Sequence, residues 1–146
     1  MEYIEEVDKL KTRVLKYVLY KKRTEAEIRE KFSDMDQDML EEVIEQLKES
    51  GYISDSIYIK KAVDEFMRLR DISIYEISYK LANKGLKKDI IEEYISGNWD
   101  ELYNYERSSV KKIIEKKNGN SKEEIKRFLM TKGYLIDIIE QELENY

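Results

Sequence analysis

Apolar positions along the chain fall into three successive blocks with a helical period. Val7, Leu10, Val14 and Val18 recur every three or four residues and so share one helix face. Ile59, Val63, Phe66 and Met67 repeat the pattern, and Leu102, Tyr105, Val110, Ile113 and Ile114 do so less regularly. After each stripe comes the same start signal: Thr24-Glu25-Ala26-Glu27-Ile28, Ser73-Ile74-Tyr75-Glu76-Ile77 and Ser121-Lys122-Glu123-Glu124-Ile125. A hydroxyl residue followed by Glu three positions on is a capping box. The hydroxyl accepts from the third N–H, and the Glu carboxylate accepts from the cap's own N–H. One box is a weak signal, but three, spaced 49 and 48 residues apart, indicate an internal repeat.

The register continues downstream. Four residues after the Ile stand Phe32, Leu81 and Leu129, one helical turn on. Lys84-Gly85-Leu86 and Lys132-Gly133-Tyr134 then read as helix stops, with glycine in the left-handed conformation and the next apolar residue folding back. The first unit has no glycine here and runs through the acidic link Ser33 to Asp38. Each unit closes on a helix with a paired apolar step: Val43-Ile44, Ile90-Ile91 and Ile138-Ile139. The spacing thus predicts an all-α chain of three tandem three-helix, helix-turn-helix-like repeats, covering 1–53, 54–97 and 98–146. In each, helix A is followed by a capped helix B and a helix C. A unit this small buries little alone, so neighbours are expected to stack.

Composition supports helix. Charged residues make up 40% of the 146, there is no proline, and the five glycines fall mainly at the predicted joints. Cysteine and histidine are both absent, which removes thiolate chemistry, the commonest zinc ligands and the commonest general base. No glycine-rich phosphate loop or nucleophile elbow occurs. The acidic start Met1 to Glu6 is unlike a signal peptide, and the longest apolar run, Tyr17 to Tyr20, is far too short for a membrane span. We expect a cytoplasmic, non-enzymatic protein without cofactor or metal. Asp34, Asp36, Asp38 and Glu45 imitate the spacing of a calcium loop, but the sixth place, which needs glycine, is Met39.

Charge is more informative in its distribution than in its sum of -5. Lys9 to Arg23 holds seven basic residues and no acid, whereas Asp34 to Glu49 holds seven acids and one lysine. The end of the third helix A is basic again, at Lys111, Lys112, Lys116 and Lys117. Tyr17 and Tyr20, among the first lysines, are expected to pack, with base stacking as the alternative.

The order and spacing of these pieces resemble a known family. Arg23-Thr24-Glu25-Ala26-Glu27-Ile28-Arg29-Glu30-Lys31-Phe32, then Val43-Ile44-Glu45-Gln46-Leu47-Lys48-Glu49-Ser50-Gly51-Tyr52-Ile53, resemble the start of RecX, the bacterial regulator of the RecA recombinase. Tyr58-Ile59-Lys60-Lys61-Ala62-Val63 and Ile77-Ser78-Tyr79-Lys80-Leu81-Ala82-Asn83-Lys84-Gly85-Leu86 continue the likeness. The resemblance implies an elongated, curved stack that lies along the RecA filament on single-stranded DNA and restrains its ATPase, strand exchange and growth. From the acidic total we expect weak or indirect nucleic-acid contact, and we expect a monomer. Family members often carry a basic, glycine-containing loop between the second helices A and B; here that stretch is Arg68-Leu69-Arg70-Asp71-Ile72-Ser73.

The candidate filament or DNA contacts are Lys11, Lys16, Lys21, Lys22 and Arg23 in the first unit, with Lys60, Lys61, Arg68, Arg70, Lys80 and Lys84 in the second. Two alternatives stand beside this reading. One is a winged-helix DNA-binding regulator with Tyr52 to Ile59 as its wing; its recognition helix would carry Asp38, Glu41, Glu42, Glu45 and Glu49, a face that repels phosphate. The other is a generic helical scaffold for protein–protein interaction.

Overall fold

The computed structural model describes residues 2–69 and 71–146. They form helices α1 (Glu2–Tyr20), α2 (Glu25–Lys31), α3 (Gln37–Glu49), α4 (Asp55–Leu69), α5 (Ile74–Asn83), α6 (Lys88–Gly97), α7 (Trp99–Lys116), α8 (Lys122–Thr131) and α9 (Ile136–Glu144). No strand occurs among the described residues; the stretch a wing would occupy is helical from Asp55. Helices α1, α4 and α7 are the predicted A helices, α2, α5 and α8 the capped B helices, and α3, α6 and α9 the C helices.

Three hydrophobic clusters line up along the chain. The first joins Val7, Leu10, Val14 and Val18 of α1 to Ile28, Phe32 and the α3 residues Leu40, Val43, Ile44 and Leu47. The third joins Val110, Ile113 and Ile114 to Ile125, Leu129, Tyr134, Ile138 and Ile139. The middle cluster is not closed on its own triplet. Ile59, Val63, Ile77, Leu81 and Ile91 are completed by Leu102 of α7, with Tyr105 and Leu135 packed against them. This explains the irregular third stripe: α7 serves two cores, its N-terminal half facing back and its C-terminal half facing forward.

Thr24 and Ser73 form complete capping boxes, while Ser121 supplies only the hydroxyl half, accepting from the Glu124 N–H. The glycine stops also form. Gly85 and Gly133 take φ of 89° and 87°, and the N–H groups of Leu86 and Tyr134 reach back to the carbonyls of Leu81 and Leu129. The acidic link before α3 is a cap: the Asp36 carboxylate accepts from the N–H groups of Asp38 and Met39. Among the described residues no cluster of three or more potential ligands could hold a metal ion, and no helix is long and apolar enough to cross a membrane.

Candidate interaction surface

Surface geometry here is set by how the triplets join. At both joints the capping hydroxyl has a second role. The Thr24 hydroxyl donates to the Lys84 carbonyl at 2.6 Å, and the Ser73 hydroxyl donates to the Lys132 carbonyl at 2.6 Å. Both caps are fully buried, whereas Ser121 is exposed. The N-terminus of α2 therefore receives the C-terminal turn of α5, and that of α5 the C-terminal turn of α8. Glycine is needed in that turn for closeness as well as for φ. A Cβ on Gly85 would lie 2.3 Å from the Ala26 Cβ, and one on Gly133 would lie 2.8 Å from the Tyr75 Cβ.

A carboxylate from the following unit completes each joint. Asp55 accepts from the Glu25 N–H at 3.0 Å in the first. In the second, the fully buried Glu106 of α7 accepts from the Ile74 N–H and the Leu135 N–H, both at 2.7 Å. Burial pushes the Glu106 pKa above the usual carboxylate range, and the two N–H bonds pull it back only in part. The Tyr134 hydroxyl beside it bridges Ser109 at 2.8 Å and the Asp71 carbonyl at 3.1 Å; burial raises its pKa well above that of a free tyrosine.

Most of the basic residues chosen from sequence are on the surface, but they do not form one patch. Lys16, Lys21 and Lys22 are exposed on and just after α1, and Lys11 is half-buried there. Arg23 folds its guanidinium over the Tyr17 ring at 4.1 Å, and its Nε is buried without a hydrogen-bond partner. Tyr17 also meets Phe32 edge-on at 5.8 Å, so it packs as expected; Tyr20 is 84% exposed and does not. Lys60 and Lys61 are exposed on α4, Lys60 pairing with Asp64 at 3.3 Å. Arg68 is exposed at the end of α4, beside Lys60, Asp64 and Tyr94. Lys80 is half-buried on α5, and Lys84 sits over the first joint, 4.0 Å from Glu27. Arg70 lies outside the described residues.

One basic cluster was read from sequence only in part, as the basic end of the third helix A at Lys116 and Lys117, without Lys132. At the second joint a cavity of about 450 Å³ is lined by Ile72, Ile113, Phe128 and Tyr134, with Lys116, Lys117 and Lys132 and the carboxylates of Asp71 and Glu76 among its walls. Lys117 Nζ stands 4.0 Å from the Phe128 ring centre and Lys132 Nζ 5.6 Å. The available signal was the repeat itself, since Lys132 precedes Gly133 as Lys84 precedes Gly85.

A separate run of acidic residues lies on α3. Glu41, Glu42, Glu45 and Glu49 are exposed on α3, where Arg29 bridges Glu41 at 2.7 Å and Glu25 at 3.0 Å. The surface therefore carries lysines paired with carboxylates at the joints and an acidic face on α3.

No family model matches the chain. Individual relatives do. The regulatory protein RecX of Clostridium perfringens (strain SM101) is 31% identical over 142 residues, covering 91% of this chain and 66% of that protein. The regulatory protein RecX of Caldanaerobacter subterraneus subsp. tengcongensis is 30% identical over 120 residues, covering 77% and 57%. That of Streptococcus agalactiae serotype V is 28% identical over 140 residues, covering 90% and 53%, so the chain spans about half the length of such relatives. The crystal structure of RecX from Lactobacillus salivarius superimposes with a TM-score of 0.82 at 26% identity, covering 97% of both chains. Another crystal structure, of a regulatory protein RecX, shares the fold with a TM-score of 0.81 at 19% identity. Capped B helices stacked through glycine turns, together with these likenesses across nearly the whole chain, place it: the chain belongs to the RecX family of regulatory proteins.

Proposed function

We propose that this chain binds the RecA filament on single-stranded DNA and restrains its ATP hydrolysis, strand exchange and growth. The observation that carries this reading is the joint architecture within a RecX-type fold. Rigid, hydrogen-bonded joints hold three units, residues 1–53, 54–97 and 98–146, in fixed succession, and a stack of that kind offers one surface to several subunits of a repeating partner. Segregated charge supports it: the basic end of α1 and the acidic face of α3 give the stack two electrostatically distinct sides, which steers encounter and fixes orientation on a charged assembly. No catalytic chemistry is assigned to the chain itself. It works as a monomer in the cytoplasm, where its partner works.

The test is single-stranded-DNA-dependent ATP hydrolysis by the cognate recombinase, with and without this protein. Inhibition near one protein per few recombinase subunits is expected; an unchanged rate at stoichiometric excess refutes the reading. Reversing Lys16, Lys21, Lys22 and Arg23 to Glu should weaken the effect. Unchanged inhibition by a folded variant clears that face of a role.

A further inference from the structure

The two joints close on similar hydrogen bonds but on different amounts of apolar surface. At the second, the core of residues 54–97 is finished by the next unit. Leu102 is a full member of that cluster, with Tyr105 and Leu135 packed against it. At the first, nothing comparable crosses. Among the described residues, the whole α1–α3 cluster comes from residues 7–53, and no residue of that stretch takes part in the middle cluster. The hydrogen bonds and close contacts across this joint are polar or small. The Thr24 hydroxyl meets the Lys84 carbonyl at 2.6 Å, the Glu25 N–H meets the Asp55 carboxylate at 3.0 Å, Lys84 lies 4.0 Å from Glu27, and Gly85 is set against Ala26. The tying carboxylates differ too: Glu106 is fully buried, Asp55 only half-buried.

The covalent connections differ in the same sense. From α6 to α7 the chain turns on Asn98 alone, which ends one helix and starts the next. From α3 to α4 it runs through Ser50 to Ser54, with Gly51 at φ 80°. Within that stretch Ile53 is buried in the first core. Ser54 belongs instead to α4: its hydroxyl accepts from the Ile57 N–H at 3.2 Å and its carbonyl from the Tyr58 N–H at 3.0 Å. The first unit and the rest of the stack thus meet between Ile53 and Ser54, where rotation disturbs neither core.

A small polar joint exchanges its hydrogen bonds for bonds to water when it opens, at little net cost, whereas parting a shared core exposes apolar area. We propose that the first joint is a hinge. Helices α1 to α3 swing as one body about Ile53 and Ser54, while α4 to α9 move as a second body whose own joint stays shut. Closed, both joints are rigid, and the structure is the closed form. Opening parts the Thr24–Lys84 and Glu25–Asp55 bonds and bares the N-terminus of α2. This goes beyond filament binding and holds for the chain alone, with no partner present.

Because the chain has no cysteine, pairs of introduced cysteines carry the only spin labels. Double electron–electron resonance on Glu45→Cys with Glu93→Cys spans the first joint, and on Glu93→Cys with Arg127→Cys the second; all these positions are exposed on helices. The distance distribution across the first joint should be roughly twice as wide as across the second, or split in two. Asp55→Ala should shift it further toward the open population and leave the second-joint distribution unchanged. Circular dichroism matching wild type establishes that each labelled variant is folded. Should Asp55→Ala fail to fold, Thr24→Val, which removes the hydroxyl bonded to Lys84, takes its place with the same expected shift. Distributions of equal width across the two joints, a wider one across the second, or a first-joint distribution indifferent to the folded joint variant overturns the hinge.

Discussion

Glu106 offers the sharpest test of how the second joint holds. Its two carboxylate oxygens serve helices from different triplets, the Ile74 N–H at the start of α5 and the Leu135 N–H before α9. Truncation to Ala leaves two N–H groups without partners where water has no access, at about 1–3 kcal/mol each. Removing a buried carboxylate also relieves its desolvation, and the raised pKa says that burial outweighs the hydrogen bonds for the charged form. The net cost of Glu106→Ala is therefore about 2–4 kcal/mol, or roughly 5–15 °C in melting temperature for a chain of this size. Urea unfolding monitored by circular dichroism measures it, and hydrogen exchange should place the loss of protection at the amides of Ile74 and Leu135. The pH dependence has a definite sign. Because the folded pKa is raised, the contribution of Glu106 is fully present below the ordinary carboxylate range and is lost as pH rises through the folded value. Wild type should thus lose stability relative to Glu106→Gln across that window. A Glu106→Ala variant within about 0.5 kcal/mol of wild type, with exchange at both amides unchanged, refutes the assignment of this carboxylate as the tie between triplets.

Glycine substitutions separate conformation from packing. Gly119→Ala meets no atom within 4 Å and should cost only the left-handed penalty of about 1–2 kcal/mol, whereas Gly85→Ala, 2.3 Å from the Ala26 Cβ, should cost clearly more in the same urea assay. Adding Ala26→Gly should recover part of the Gly85→Ala loss; simple additivity in that cycle would count against the close approach. Ser73→Ala removes both a cap and the bond to the Lys132 carbonyl and should cost about 2–4 kcal/mol, while Ser121→Ala, an exposed cap, should cost about 0.5–1 kcal/mol by the same measurement. Leu102→Ala should destabilise the middle triplet, seen as faster exchange in α4 and α5, by about 2–5 kcal/mol, because its side chain completes that core.

Much of this protein is legible in its sequence because the signals are local. A capping box is set by residues three apart and a helix stop by a glycine and its neighbours, so Thr24, Ser73, Gly85 and Gly133 could be placed without coordinates. The apolar stripes of α1 and α4 follow from helical period in the same way, and charge segregation between α1 and α3 is visible as a run of one sign followed by the other.

What tertiary structure decided are the second uses of those residues. Nothing in a capping box announces that its hydroxyl also donates to a carbonyl in the next unit, or that the glycine ending one helix makes room for Ala26 or Tyr75 of another. Leu102 reads as part of its own stripe and Glu106 as one more surface carboxylate, yet both are buried in the joint before their own triplet. The convergence of Lys117 and Lys132 on Phe128 is likewise invisible along the chain, since one lysine ends a long helix and the other a short one. Short-range hydrogen bonds and helical period are written in neighbouring residues. Contacts between repeats depend on how one helix end is placed against another, and only the folded stack fixes that placement.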